Sequence, residues 1–358
     1  MKTAIVYPYS LLSAPVVRHL VWKDDIIITA AVIPGRWCPE DADASYVDEN
    51  EYIGVPIKQS FEDALKNCNT VIWTEYDYCD DECPKEVRQN IIKALLEHKN
   101  VICCTKLTDA EISEFTDIAF LGEAVFDYTP VRAEKKILPN VSKDRICVPI
   151  VAVMGVSNNC LKFETQLFLR RHFIDEGYKI SQIGSRSGCE ILGFHSFPDF
   201  MYENISEKEK TDAFLSYVTE IQNNENPDVI IIGIPGGIYP LSMDHTFNYG
   251  ITAYEVCNAV QVDCTVLNVW CDSCSEKLLE NMKNVLKYRY NSELDCVCLS
   301  NISVNKSDLM DKGHVLGYNI YSSTESEEYD NMQDKTGIYS MTGESGEKLF
   351  EGILRTLA

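Results

Sequence analysis

Apolar runs of strand length alternate with helical repeats along most of the chain. In the first part KTAIVYP (2–8) precedes a helical pattern over 11–22, and IIITAAVI (26–33) leads into a polar loop to about residue 50. A short helix at 61–66, TVIWTE (70–75), a helix at 84–98 and NVICCT (100–105) follow. Strands that are apolar at every position lie between two covered faces, and a strand–helix–strand rhythm builds a parallel sheet. A helical or irregular connection with the charged stretch RAEKKILPNVSKDR covers roughly 108–145, and a second series begins at Val148. It reads PIVAVMG, helix 162–176, KISQIGS, helix 207–223, DVIIIGIP, helix 247–259, CTVLNVW, helix 275–289 and LDCVCLS. A polar, turn-rich tail over 303–342 and a closing helix over 344–357 complete it. The pattern predicts two α/β domains, 1–145 and 146–358, without internal repeats.

The first strand–helix turn of each domain is where a phosphate would bind, because free amides and a positive helix end meet there. In the first domain that turn is YPYSLLSAP, which lacks GxGxxG and gives a dinucleotide no support. In the second it is Gly155-Val156-Ser157-Asn158-Asn159-Cys160-Leu161-Lys162-Phe163-Glu164-Thr165. A working P-loop, GxxxxGK[ST], wraps phosphate in backbone amides, neutralises it with lysine and ligates magnesium through a hydroxyl. With one residue added, Lys162 falls in register. Leucine replaces the second glycine and glutamate the hydroxyl residue, while Thr165 lies one position late. Leucine resists the left-handed backbone that glycine adopts there. NTP hydrolysis also needs an acid at the carboxyl end of a neighbouring strand, but NPDVIIIGIPGG ends without one and Asp228 sits at the wrong end. These residues support either an anion cradle without hydrolysis or a plain structural turn.

VAVMGVSNNCLKFETQLFLRRHFIDEGYKISQIGSRSG resembles a family of peptide maturation system proteins, which are P-loop-related and associated with ribosomally synthesised, modified peptides. The matching residues are Gly155, Ser157, Lys162, Phe163, Gln166, Leu167, Leu169 and Arg170; Cys160, Leu161 and Glu164 depart from the family pattern. More distantly, the plan resembles a wider two-domain group, some members of which are similar to D-amino-acid N-acetyltransferases. The resemblance implies a Rossmann-like parallel-sheet domain followed by a P-loop NTPase-like domain with a degenerate phosphate loop. It also implies an accessory role in peptide maturation, with a precursor peptide or peptide-modifying enzyme as partner. The alternatives are an acyltransferase using a CoA thioester, and a non-catalytic scaffold. The ligand stays open on this reading, with ATP, GTP, a CoA thioester, a peptide or another small anion as candidates and magnesium disfavoured.

Further candidates lie on the expected carboxyl edge. Ser185, Arg186 and Ser187 could hold a carboxylate or phosphate, against an exposed polar turn as the alternative. His195 with Asp199 and His245 with Asp244 are possible base–carboxylate pairs, though solvated loop histidines are commoner. Gly236 and Gly237 would let backbone approach a ligand, or simply end a strand. The expected anion contacts are thus Gly155, Ser157, Asn158, Asn159, Lys162, Phe163, Thr165, Ser185, Arg186 and Ser187. Trp270-Cys271-Asp272-Ser273-Cys274 has a redox-motif spacing, but it arrives late in an α/β series and also reads as a capped helix start. No metal site is expected.

Composition narrows the partners. A net charge of -23 opposes nucleic acid and anionic membranes. No transmembrane or secretory pattern appears, so a cytoplasmic location is expected, and a homo-oligomer is compatible with the chain. Fifteen cysteines, mostly in strand-like contexts, then serve as small apolar core residues.

Overall fold

A computed structural model describes residues 2–21, 25–35, 38–75, 85–130, 133–138, 142–240, 249–304, 318–320, 337–341 and 343–358. The chain divides into two compact units: Met1–Val131 with Ser187–Ser196, and Arg132–Arg186 with Phe197–Ala358. The loop after the second strand of the later series therefore belongs to the first unit.

The first unit carries β1 (Lys2–Tyr7), α1 (Ala14–Leu20), β2 (Ile26–Val32), β3 (Ile57–Lys58), α2 (Phe61–Leu65), β4 (Thr70–Trp73), α3 (Lys85–Leu96), β5 (Asn100–Cys103), α4 (Asp109–Leu121) and β6 (Phe126–Tyr128). Its strands lie in the order β3-β2-β1-β4-β5-β6, all neighbours parallel, which is the Rossmann order. The apolar faces of β1 and β4 explain the burial. Ala4, Val6 and Ile72 pack on one side with Leu20; Ile5, Val71 and Trp73 pack on the other with Phe115. α1 starts later than the apolar pattern suggests, because the Ser13 hydroxyl closes a turn on Ser10 and Pro15 fits the first helical turn. The connection over 108–145 contains α4, which opens with a capping box at Thr108 and Glu111, and the edge strand β6. Neither β6 nor the two-residue β3 shows in the hydrophobic pattern.

The second unit carries β7 (Ile150–Gly155), α5 (Lys162–Asp175), β8 (Ile180–Ile183), α6 (Glu207–Glu225), β9 (Val229–Gly233), α7 (Ile251–Ala259), β10 (Cys264–Trp270), α8 (Glu276–Tyr290), β11 (Cys296–Ser300), β12 (Ile302–Val304), β13 (Tyr318–Ile320), β14 (Ile338–Tyr339) and α9 (Gly343–Leu357). Its main sheet has the order β14-β11-β10-β7-β9-β8, again wholly parallel, so β7 is central between β9 and β10. β12 and β13 form a separate antiparallel pair. Within the tail, expected to be polar and turn-rich, β14 extends the sheet by pairing with Val297 and Cys298. Val151, Val153, Ile231 and Val266 meet Leu169, Phe173, Leu349 and Ile353 in the core. The architecture is therefore α/β with two parallel six-stranded sheets, Rossmann-like and then P-loop NTPase-like.

The described cysteines are free thiols; Cys147 is exposed, Cys271 half-buried and the others buried, as small core residues. No helix among the described residues is long and apolar enough to cross a membrane.

Candidate anion site

All six residues of β7 are buried, and the chain turns at its carboxyl end between two neighbours in register: Asn268 of β10 opposite Gly155, and Gly233 of β9 opposite Val153. The Val156 N–H donates to the Asn268 carbonyl at 3.0 Å. From the other side, the N–H groups of Ile238 and Tyr239 donate to the carbonyls of Gly155 (2.9 Å) and Val156 (3.3 Å). The turn after β9 is thereby laid along the loop. Gly237 has no space for a side chain there: a Cβ would sit 2.6 Å from the Val156 carbonyl oxygen and 2.7 Å from Ser157 Cα.

Leu161 occupies the left-handed region at φ 57 and ψ 30 and directly precedes α5. The backbone thus makes the left-handed turn that leucine was expected to resist. The physical reason is burial. Left-handed backbone costs a side-chain-bearing residue about 1–2 kcal/mol, whereas hiding a leucine side chain from water contributes about 1.5–3 kcal/mol, and Leu161 is only 8% exposed. The result is a run of backbone N–H groups, from Asn158, Asn159, Cys160, Leu161 and Lys162, with no acceptor among the described residues. Together with the positive end of α5, they are donors that an anion could use.

Lys162 is the charged element of this array. It is 5% exposed, and its Nζ donates to the carbonyls of Ser157 at 2.7 Å and Gly236 at 2.5 Å, with a longer approach of 3.5 Å to Asn158. Burial pushes the ammonium below its ordinary pKa; the Cys160 thiol opposes this and the positive charge of Arg186 adds to it. The Arg186 guanidinium lies 4.4 Å from the centre of the Phe163 ring. Gln166, fully buried on α5, fixes the turn bearing Arg186. Its Oε1 accepts from the Ser185 N–H (3.1 Å), and its Nε2 donates to the Ser185 hydroxyl (3.0 Å) and to the Lys162 carbonyl (3.0 Å). Gly233 leaves room for that amide, since a Cβ there would lie 2.0 Å from Gln166 Oε1. Gln166→Ala is expected to weaken anion binding by about 5- to 20-fold, the worth of roughly one or two such hydrogen bonds, in a calorimetric titration with pyrophosphate. An unchanged affinity would remove Ser185 and Arg186 from the site.

Thr165 lies beneath the loop, fully buried. Its hydroxyl donates to the Leu161 carbonyl (3.2 Å) and accepts from Asn268 Nδ2 (2.7 Å), so it supports the helix start and is not presented to a ligand. Asn268 Oδ1 has no partner among the described residues. The Trp270 indole N–H donates to the Asn159 carbonyl at 2.8 Å, which holds the tip of the loop from the β10 side. Gln166, Asn268 and Trp270 were not among the expected contacts. The signal available was position alone, because Trp270 lies two residues beyond the partner of Gly155 on an adjacent strand.

Ser187 and His195 belong to the first unit, where the Ser187 hydroxyl donates to the Glu75 carboxylate at 2.5 Å. Asp199 begins a short 3-10 turn of the second unit, and Gly236 adopts φ +84 with open space around it. Asp244 and His245 lie outside the described residues. Cys271 has its thiol pushed up to about 11 by burial and the neighbouring Asp272, the opposite of the lowered pKa that thiol redox chemistry uses. Asp228 accepts from the Lys179 N–H at 2.8 Å, at the amino end of the sheet. Among the described residues, no three His, Cys, Asp or Glu side chains gather as metal ligands.

No family model and no curated protein matches the chain. Among solved structures, a DUF1611 family protein from Anabaena variabilis ATCC 29413 superposes with a TM-score of 0.68 at 12% sequence identity, over 99% of this chain and 100% of that chain. The two share a fold. A nucleotide-binding protein from Archaeoglobus fulgidus in complex with ADP reaches a TM-score of 0.32 at 11% identity, over 60% of this chain and 89% of that chain. An overlap so small carries no argument about this chain.

Proposed function

We propose that the second unit binds a phosphate-type anion, such as a nucleotide or CoA phosphate, in the loop between β7 and α5 and does not hydrolyse it. The observation that carries this reading is a run of five consecutive N–H groups that, among the described residues, have no acceptor, beside a buried ammonium whose hydrogen bonds there go to carbonyls. Such a buried charge gains most from an anionic partner. Hydrolysis is disfavoured because Glu164 replaces the magnesium hydroxyl, the Thr165 hydroxyl is used beneath the loop, and β9 ends in Gly233-Ile234-Pro235 without an acid. The likeness to peptide maturation system proteins supports placing this binding step in peptide modification, where the bound anion would order the protein for a precursor peptide or a modifying enzyme.

Thermal-shift and calorimetric titrations with sulfate, pyrophosphate, ADP, ATP and acetyl-CoA test the site. No response to any of them would refute it, and phosphate release from ATP above the buffer control would refute the absence of hydrolysis. A response confined to acetyl-CoA would favour the acyltransferase reading.

The protonation state of Lys162 sets the pH dependence. Only the ammonium attracts an anion, and burial has lowered its pKa. Affinity is therefore expected to fall as pH rises through a range below that of an exposed lysine. A bound anion restores the charge, so titrations in buffers of different ionisation enthalpy should show proton uptake within that range. Affinity independent of pH up to the ordinary lysine range would contradict the role given to Lys162.

A further inference from the structure

Hydrogen-bond donors converge on the amino end of α7 in the second unit. Gly250, the N-cap, adopts φ 69 and brings no capping side chain, and the first turn of the helix holds no acid. The N–H groups of Ile251, Thr252 and Ala253 have no acceptor among the described residues. The Tyr290 hydroxyl stands where a side chain on Gly250 would begin: a Cβ there would lie 1.9 Å from its oxygen and 3.7 Å from the Arg289 guanidinium carbon. Tyr290 ends α8 and is 2% exposed, and its hydroxyl has no hydrogen-bond partner among the described residues. Burial pushes the phenol up to about 12, so it keeps its proton and is a donor.

Arg289 adds a full charge. Its Nη2 reaches the Tyr249 carbonyl only at 3.5 Å, and its guanidinium lies 5.2 and 5.6 Å from the ring centres of Tyr249 and Tyr290. A guanidinium beside the positive end of a helix is repelled, and a buried hydroxyl without a partner costs stability. One anion would relieve both, by accepting from the helix amides, the phenol and the guanidinium. The turn after β9 ties this place to the loop between β7 and α5. The Gly237 carbonyl accepts from the Gly250 N–H at 2.7 Å, and the adjacent Gly236 carbonyl accepts from Lys162 Nζ. The Lys162 ammonium and the start of α7 are therefore roughly 10 Å apart or less.

We propose that the amino end of α7, with Tyr290 and Arg289, is a second anion subsite, and that the ligand is a small molecule with two negative groups: a phosphate on the loop and a phosphate or carboxylate at α7. The first group rests on the reading of the loop given above; the second stands on the donors at α7 alone.

Calorimetric titration of the full chain with inorganic phosphate, fructose 1,6-bisphosphate and 3-phosphoglycerate tests it, the last two separating phosphate from carboxylate at the second position. At least one two-ended ligand is expected to bind about 10-fold or more tightly than phosphate. Tyr290→Phe and Arg289→Gln should each bring that ligand back toward the affinity of phosphate. Phenylalanine removes a hydroxyl that bonds nothing else among the described residues, so the unfolding temperature of that variant should not fall. Equal affinities for all three ligands, or variants that keep the full advantage, would overturn the second subsite and leave a Lys162-dependent phosphate site standing. Two-ended binding that survives Lys162→Met but is lost in Arg289→Gln would instead overturn the reading of the loop and keep the subsite at α7. No response to any of the three ligands overturns both.

Discussion

Lys162→Met is expected to reduce the affinity of the second unit for pyrophosphate or ADP by about 10- to 150-fold, in a titration the wild-type chain completes. The ammonium is the charge at the centre of the proposed site, and a charged hydrogen bond to an anion contributes about 1.5–3 kcal/mol. Methionine keeps most of the aliphatic stem, which packs below Gly155, where a Cβ would meet Lys162 Cδ at 2.8 Å. The folded state should tolerate the change. Removing the charge leaves the carbonyls of Ser157 and Gly236 without that donor, but it also removes the cost of burying an ammonium that now has only dipoles for partners. A variant that unfolds at the wild-type temperature yet no longer binds would locate the anion at the loop. A variant that binds equally well would move it elsewhere.

Gly237→Ala is expected to do the opposite, damaging the scaffold before the chemistry. Its Cβ would press on the Val156 carbonyl oxygen and on Ser157 Cα, both backbone atoms that cannot swing aside. Either the turn after β9 lifts off the loop, losing the bonds from Ile238 and Tyr239, or the loop itself shifts. Overpacking of this kind costs about 1–3 kcal/mol, so chemical denaturation should show that loss together with weaker anion binding. Gly236→Ala is the control. It adds a methyl group in open space and is strained only by φ +84, for about 1–2 kcal/mol. A Gly237 variant no less stable than the Gly236 variant would show that the turn does not brace the loop.

Much of this was legible from periodicity. β1, β4, β7 and β9 announce themselves as continuous apolar runs because both of their faces are covered. The helix starting at Lys162 and the glycine closing β7 follow from the same reading. β6, with the sequence Phe-Asp-Tyr, and β14, with only two residues, could not be seen: short edge strands owe their existence to the neighbour they pair with, not to their own pattern. The site was half legible. Gly155, Lys162 and the absence of an acid after β9 are local facts. The bonds from Gln166 to Ser185 and from Trp270 to the Asn159 carbonyl span 19 and 111 positions of chain, and no spacing rule reaches that far.

The sequence by itself determined a pair of parallel α/β sheets and the loop on the second one, with its glycine and lysine, where we propose that an anion binds. Alternation, strand length and a glycine before a helix are properties of neighbouring residues, so they survive without the fold. Tertiary structure decided the rest. It put Leu161 into a left-handed turn that its own propensity opposes, because burying the side chain outweighs the backbone cost. It turned the Thr165 hydroxyl to Asn268, away from any ligand, and it assigned Ser187 and His195 to the first unit. These outcomes depend on what packs against each residue, which is fixed only once distant strands have found their places in the sheet.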